Sequence, residues 1–305
     1  MSENSGMGRR AFLESAGAAG LASLTDSARA AQAGPWKGGK KWVYSITYDE
    51  GAQGLLKHAV PLHRKYGVPG HVCLVSSQIG VPRNVPGSSY HGMMVLNRGD
   101  IQGLAKEGWG FSSHSMTHAS TSFENGQVEV ADARKVLEDA IGLPVTVFCV
   151  PGSNQGHPAS LHFAPLGGYK AIMTIYDWVN TKATDLMWLG RCPIHTEWPG
   201  PFFSKFDPYK RLQQARALGG WIIDYCHCPM PGKPIHPAKD CTSEELEARF
   251  QAVKEIGGDA VWLAEPNEVV DFLVNDEESQ RLRATPATPE SMVLNEEMRA
   301  LYRQR

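Results

Sequence analysis

Three short segments of the chain carry side chains whose types and spacing suit hydrolytic chemistry. Thr47-Tyr48-Asp49-Glu50-Gly51 sets two carboxylates side by side on a turn. His114-Ser115-Met116-Thr117-His118 separates two imidazoles by three residues. On a helical turn that spacing puts both rings on one face, close enough to hold one metal ion, with a carboxylate from elsewhere as third ligand. Two His and one carboxylate, with positions left open for water, are the ligand set of hydrolytic zinc and of some non-haem iron sites. The third segment, Gly219 to His227, is an apolar run that ends in an imidazole. Taken singly, each segment also has an ordinary reading, the carboxylates as a turn or helix cap and the His pair as solvated surface.

For three such distant segments to meet, the elements between them must return the chain to one place. From Lys41 onward, β-branched and aromatic runs at 42–47, 71–75, 109–112, 145–150, 171–176, 221–225 and 261–263 read as strands. Stretches of helical period lie at 55–66, 100–107, 128–141, 209–218 and 244–256, and Thr242 with Glu245 forms a capping box for the last. This alternation implies parallel strands with helical crossovers, as in an α/β barrel or an open doubly wound sheet. In a barrel, functional side chains collect where strands end. The carboxylate pair, the His pair and His227 each follow a strand. Neither GxGxxG nor GxxxxGK[ST] follows one, which counts against nucleotide-binding folds. With no internal repeat, one domain at 41–275 is expected, followed by a polar C-terminal arm at 276–305.

The order of the three segments resembles that of the polysaccharide deacetylases of the NodB homology family (carbohydrate esterase family 4). Thr47-Tyr48-Asp49-Glu50 corresponds to its first motif, Thr-Phe-Asp-Asp; His114 to His118 to its second; and Tyr225-Cys226-His227 to its fifth, Leu-x-His. The likeness extends over roughly 42–273. It implies a distorted (β/α) barrel of about seven parallel strands around one divalent metal, usually Zn2+, with Co2+, Ni2+, Mn2+ or Fe2+ as alternatives. The implied ligands are Glu50, His114 and His118, with Asp49 as general base and His227 as the acid that protonates the leaving amine or alcohol. Phe148-Cys149-Val150-Pro151-Gly152 stands for the third motif and offers the Gly152 N–H to the oxyanion. Tyr176-Asp177-Trp178 stands for the fourth, with Asp177 holding His227 and Trp178 walling the acyl pocket. The chain departs from the pattern in having Glu50 in place of Asp and Cys149 where the family carries an Arg that orients the base. Arg191 is another cation that could approach the site.

Composition agrees with a globular enzyme: 42% of the 305 residues are hydrophobic, 20% are charged, and the net charge is −2. These values exclude a disordered chain, and a near-neutral chain without a basic patch has no electrostatic footprint for nucleic acid. Six scattered cysteines without a CxxC pair are no disulfide scaffold. Gly8-Arg9-Arg10-Ala11-Phe12-Leu13, a mildly apolar run and Ala-x-Ala sites up to residue 33 resemble a twin-arginine export signal. That signal implies the twin-arginine translocase as partner and a periplasmic or extracellular location, without a stable membrane anchor. The function expected is removal of N-acetyl or O-acetyl groups from a carbohydrate polymer. A C–N hydrolase acting on a cyclic amide or ureide, and a glycan- or metal-binding protein that has lost catalysis, are the alternatives. The Gly/Pro-rich stretch 80–92 is long enough to line a substrate groove, or is a surface excursion.

Overall fold

The structure is a computed structural model describing residues 34–197 and 205–284; the export signal expected at 1–33 and most of the arm expected at 276–305 lie outside these residues. The central strand, β1 (Trp42–Asp49), is buried along all eight residues. It runs parallel to its neighbours, with β8 (Trp221–Cys226) on one side and β2 (His71–Leu74) on the other. From β2 the sheet continues through β3 (Gly110–Ser113), β4 (Val147–Cys149) and β5 (Ala171–Thr174), each pair parallel. Two short pieces, β6 (Leu189–Gly190) and β7 (Cys192–Pro193), are separated by Arg191 alone. β6 pairs with β5, and β7 pairs with β8. This broken strand therefore joins the two ends of the sheet and closes a barrel. β9 (Val261–Leu263) fits against Trp42–Tyr44, beside the lower half of β1, while β2 takes the upper half at Tyr48 and Asp49. Counting 189–193 as one strand, the distorted (β/α) barrel has one strand beyond the seven legible in the sequence.

Residues alternate between two apolar layers, as period-2 side chains must. Trp42, Tyr44, Ile46 and Tyr48 belong to a layer shared with Leu55, Leu137, Leu212 and Phe250 of the surrounding helices. Val43 joins Cys73, Val147, Cys149, Met173, Leu189 and Ile223 in the interior layer. Burial on both faces explains why the strands read as continuous apolar runs. Each fully buried large side chain in these layers contributes about 1.5–3 kcal/mol relative to exposure. Ser45, Thr47 and Asp49 carry the polar side of β1; Trp221 Nε1 donates to Ser45 Oγ at 2.9 Å, and Ser45 Oγ donates to the Ala264 carbonyl at 2.7 Å.

Helices differ from the periodicity reading in identifiable places. The stretch 55–66 splits into Leu55–His58 and Val60–Tyr66, because Pro61 has no N–H to continue the first helix. A helix at His157–Leu166 is apolar almost all round and holds Pro165, so no amphipathic stripe announces it. The capping box predicted at Thr242 and Glu245 is present on helix Ser243–Gly257. Helix Glu277–Arg283 is tied back by Lys182, which pairs with Asp276 at 2.9 Å and Glu278 at 2.6 Å. Among the described residues, no helix is long and apolar enough to cross a membrane.

Candidate active site

Parallel strands deliver their C-terminal ends to one side, and there the first two sequence motifs meet. Glu50 N donates to the Cys73 carbonyl at 2.8 Å, and His114 N to the Leu74 carbonyl at 2.7 Å, so β2 holds the ends of β1 and β3 on either side. The backbone is held in left-handed conformations here: Glu50 (φ 72°), Ser115 (φ 70°) and His118 (φ 70°) are three of the four non-glycine residues with positive φ among those described. Such conformations cost energy and concentrate where function requires them. The His pair is therefore carried by an irregular turn, not by the helical turn that its spacing suggested. Thr117 is clamped to Glu129 through its N–H at 3.0 Å and its hydroxyl at 2.7 Å, and Ser115 Oγ accepts from His118 N at 2.9 Å. The two rings still meet, with centroids 5.0 Å apart and planes at 67°.

Asp49 ends the polar column inside the barrel. Arg191, fully buried in the break between β6 and β7, donates Nη1 to Asp49 Oδ1 at 2.6 Å and Nη2 to Oδ2 at 3.1 Å. The same guanidinium donates to Thr47 Oγ1 at 3.0 Å and lies 4.6 Å from the Tyr225 ring centroid. Burial alone would raise the Asp49 carboxyl, but the Arg191 charge, with a smaller contribution from His114, holds it well below the usual carboxylate range. Arg191 thus supplies the cation absent at Cys149. Asp49, Cys73 and Cys149 present donor atoms within 4.8 Å of one another, a spacing open to a metal. Arg191 Nη1 already lies 3.9 Å from Cys73 Sγ, and burial pushes the Cys149 thiol up, away from the thiolate a metal requires.

The expected ligands Glu50, His114 and His118 do not form a donor group within 4.8 Å of one another, but one pair stands at co-ligand distance. Glu50 Oε1 and His118 Nε2 are 3.3 Å apart. Two ligands at zinc bond lengths of about 2.0–2.1 Å with tetrahedral angles stand about that far from each other. His114 Nδ1 lies 3.0 Å from the Cys149 carbonyl, which can only accept, so Nδ1 carries the proton and Nε2 keeps its lone pair. Burial pulls both imidazoles down, His114 to about 4 and His118 to about 2, which makes them neutral donors near pH 7. Burial also raises the Glu50 carboxyl, offset in part by His227 and Arg83. His114 Nε2 is 4.0 Å from Asp49 Oδ2, so the expected base and the expected ligands share one cleft.

His227 completes the cleft, with Nε2 3.9 Å from Glu50 Oε1 and Nδ1 3.0 Å from the Lys239 carbonyl, to which it must donate. Asp240 Oδ1 accepts from the N–H groups of His227 at 3.0 Å and Cys228 at 2.7 Å. Tyr90 stacks on the His227 ring, 4.8 Å between centroids and 9° between planes, and donates its hydroxyl to Asp240 Oδ2 at 2.5 Å. The expectation that Asp177 holds His227 is corrected here. Arg211 Nε donates to Asp177 Oδ1 at 2.8 Å and Lys210 Nζ lies 3.2 Å from Oδ2, so this carboxylate serves an ion pair after β5 while Lys239 and Asp240 set His227. Gly152 stands past the end of β4 in a left-handed bend, φ 71°, on the same side of the barrel. Sequence reading passed over Arg83, Tyr90 and Asp240. They sit in Gly/Pro-rich connections without periodicity, and only the length of the 80–92 stretch hinted at a lining role. Arg83 is buried and pairs through Nε with Glu50 Oε2.

Residues 37–167 match the model of the polysaccharide deacetylase family. No curated protein matches the sequence. Among solved structures, a Mycobacterium smegmatis protein assigned as a polysaccharide deacetylase is 16% identical, with 84% of this chain and 95% of that one covered, at a TM-score of 0.49. A family 4 acetyl xylan esterase from Clostridium thermocellum, solved with a cobalt ion, is 16% identical over 75% of this chain and 90% of its own, at 0.44. A Streptococcus pyogenes deacetylase solved with acetate is 18% identical over 48% of this chain, at 0.41, and the match spans 62% of that protein. In sequence, the first half of the fold, from β1 through the His pair to β4, thus matches the polysaccharide deacetylase family.

Proposed function

We propose that the chain is an exported, metal-dependent hydrolase that removes acetyl groups from a carbohydrate polymer, N-acetyl from an amino sugar or O-acetyl as the variant chemistry. The observation that supports it most is the gathering of Asp49, Glu50, His114, His118 and His227 in one cleft, joined by the family match over residues 37–167. Glu50, His114 and His118 would hold the ion, and their nitrogen and oxygen donors suit zinc as they suit iron or cobalt. When bound, such an ion polarises the acyl carbonyl and acidifies water, so that a modest base suffices. Asp49, kept ionised and fixed by the two-pronged contact with Arg191, takes a proton from the attacking water. His227, anchored through Nδ1 on the Lys239 carbonyl, directs Nε2 into the cleft and delivers a proton to the departing amine or alcohol. The Gly152 N–H keeps its role toward the oxyanion in this reading.

The test is acetate release by the zinc-loaded chain from a panel of acetylated chitin, peptidoglycan and xylan oligomers. Release should stop on chelation and fall by about 10²- to 10⁴-fold in Asp49→Asn. Glycan binding with no acetate from any member would sink the reading, and ammonia or a carbamoyl product from a cyclic amide would reassign the bond that is cleaved. Export is checked by recovering a processed chain outside the cytoplasm, and Arg9→Lys with Arg10→Lys should prevent it.

A further inference from the structure

Tyr90 is a buried phenol that no step of the reaction described above uses, yet it covers one face of the general acid. It lines the cleft with Asp49, Glu50 and His227, and is 2% exposed. Its ring lies parallel to the His227 imidazole, 4.8 Å between centroids and 9° between planes. An imidazole turns about two side-chain bonds, the outer one broad in its preferences. The Nδ1 bond to the Lys239 carbonyl anchors one edge of His227, and a flat ring against one face restricts rotation about that anchor. Asp240 ties the two side chains together. This buried carboxylate accepts the N–H groups of His227 and Cys228 on Oδ1 and the Tyr90 hydroxyl on Oδ2. Its own backbone is fixed by Asp240 N to the His236 carbonyl and by Thr196 N to the Asp240 carbonyl, both at 2.9 Å. The chain that carries Tyr90 is held as well. Met93 N donates to the Tyr90 carbonyl at 3.1 Å, Gln53 N to the Met94 carbonyl at 2.8 Å, and Leu96 N to the Gly51 carbonyl at 2.9 Å. Tyr90 is thereby fastened to the turn that bears Glu50, whose Oε1 stands 3.9 Å from His227 Nε2. Such bracing matters, because misplacing a catalytic group by about 1 Å can cost about 10²-fold in rate.

We propose that Tyr90 is a positioning residue for proton delivery, its ring holding the His227 imidazole at the tilt that aims Nε2 at the departing atom. The inference rests on the deacetylase reading. When the acyl C–N or C–O bond breaks, its electron pair goes to the sugar nitrogen or oxygen, which takes the proton of Nε2. The anion 4-nitrophenolate, stable near neutral pH, leaves without one. Turnover by the zinc-loaded full chain is therefore compared on N-acetylated chitotetraose and O-acetylated xylotetraose, and on 4-nitrophenyl acetate. In Tyr90→Leu, which removes the flat ring, the ratio of glycan kcat to aryl acetate kcat should fall by about 10- to 100-fold, with little change in the glycan KM. Tyr90→Phe keeps the stack and should restore most of that ratio. Tyr90→Met replaces the ring by a flexible chain and serves in the same way if Tyr90→Leu does not fold. A ratio unchanged by loss of the ring, or a fall carried by the glycan KM alone, overturns the inference. Absence of acetate from both glycans defeats the deacetylase reading instead. The His227 ring N–H signal in proton–nitrogen NMR, assigned by its loss in His227→Ala, then decides for Tyr90. Protection from solvent exchange in the native chain and in Tyr90→Phe, lost in Tyr90→Leu, sustains the inference, and equal protection in all three overturns it.

Discussion

At the scale of single residues, the Asp49–Arg191 pair shows how a cation can reach a base from an unexpected part of the chain. What the base needs is a rigid fork of donors at hydrogen-bond distance, and the origin of that fork is indifferent. The break between β6 and β7 points Arg191 inward, where Asp49 and Thr47 accept from it. Because both charges are buried, removing one partner strands the other. Arg191→Met should therefore destabilise the fold by about 3–5 kcal/mol, read from urea unfolding, as well as slow acetate release. Unchanged stability would mean that Asp49 finds other compensation. The substitution Glu50→Asp, which shortens the carboxylate by one methylene, should weaken metal binding, since the 3.3 Å separation from His118 Nε2 is reached with the longer side chain. Calorimetry with zinc measures that directly.

At the scale of elements, what was legible in sequence followed from local chemistry. Thr242 and Glu245 announce a helix start through a side-chain exchange that depends on four residues, and the structure has it, with Thr242 Oγ1 accepting from Glu245 N at 3.1 Å. Thr242→Ala should cost about 1 kcal/mol in urea unfolding, with zinc affinity unchanged because the cap is outside the cleft. The carboxylate pair, the His pair and His227 were readable because each follows an apolar run. The closing strand was not: two residues on either side of a charged Arg191 carry no strand signal, and their pairing with β5 and β8 is a tertiary fact. Asp177 was misread for a related reason. Its place after β5 was visible, but its partners Lys210 and Arg211 lie more than thirty residues on, and only the fold brings them together. The irregular turn at His114–His118 was hidden because a three-residue spacing says which residues can meet, whereas Ser115 and His118 reach it through left-handed backbone that no pattern encodes.

At the scale of the whole molecule, the barrel couples its stability to pH through a buried imidazole that does not line the cleft. His63 is buried beside Trp109 and Phe250, with one ring nitrogen 2.7 Å from Tyr48 Oη and the other 2.7 Å from the Val68 carbonyl. Burial outweighs the Val68 bond and lowers this imidazole to about 4 in the fold, against 6.5 for the free side chain. The folded value lies below the unfolded one, so the stability His63 contributes is complete above pH 6.5 and is lost as pH falls through about 4. That loss amounts to about 3 kcal/mol, and urea midpoints measured from pH 7 to 4 should fall less steeply in His63→Gln than in the native chain. Two donor sets lie close together at this end of the barrel, the cluster of Asp49, Cys73 and Cys149 and the proposed ligands Glu50, His114 and His118. Cobalt titration of the full chain, followed by absorption spectroscopy, tells them apart. The account predicts one ion per chain, visible bands of a nitrogen- and oxygen-ligated site, no thiolate-to-cobalt charge-transfer band, and loss of binding in His114→Ala. A strong thiolate charge-transfer band that disappears in Cys149→Ser would contradict it.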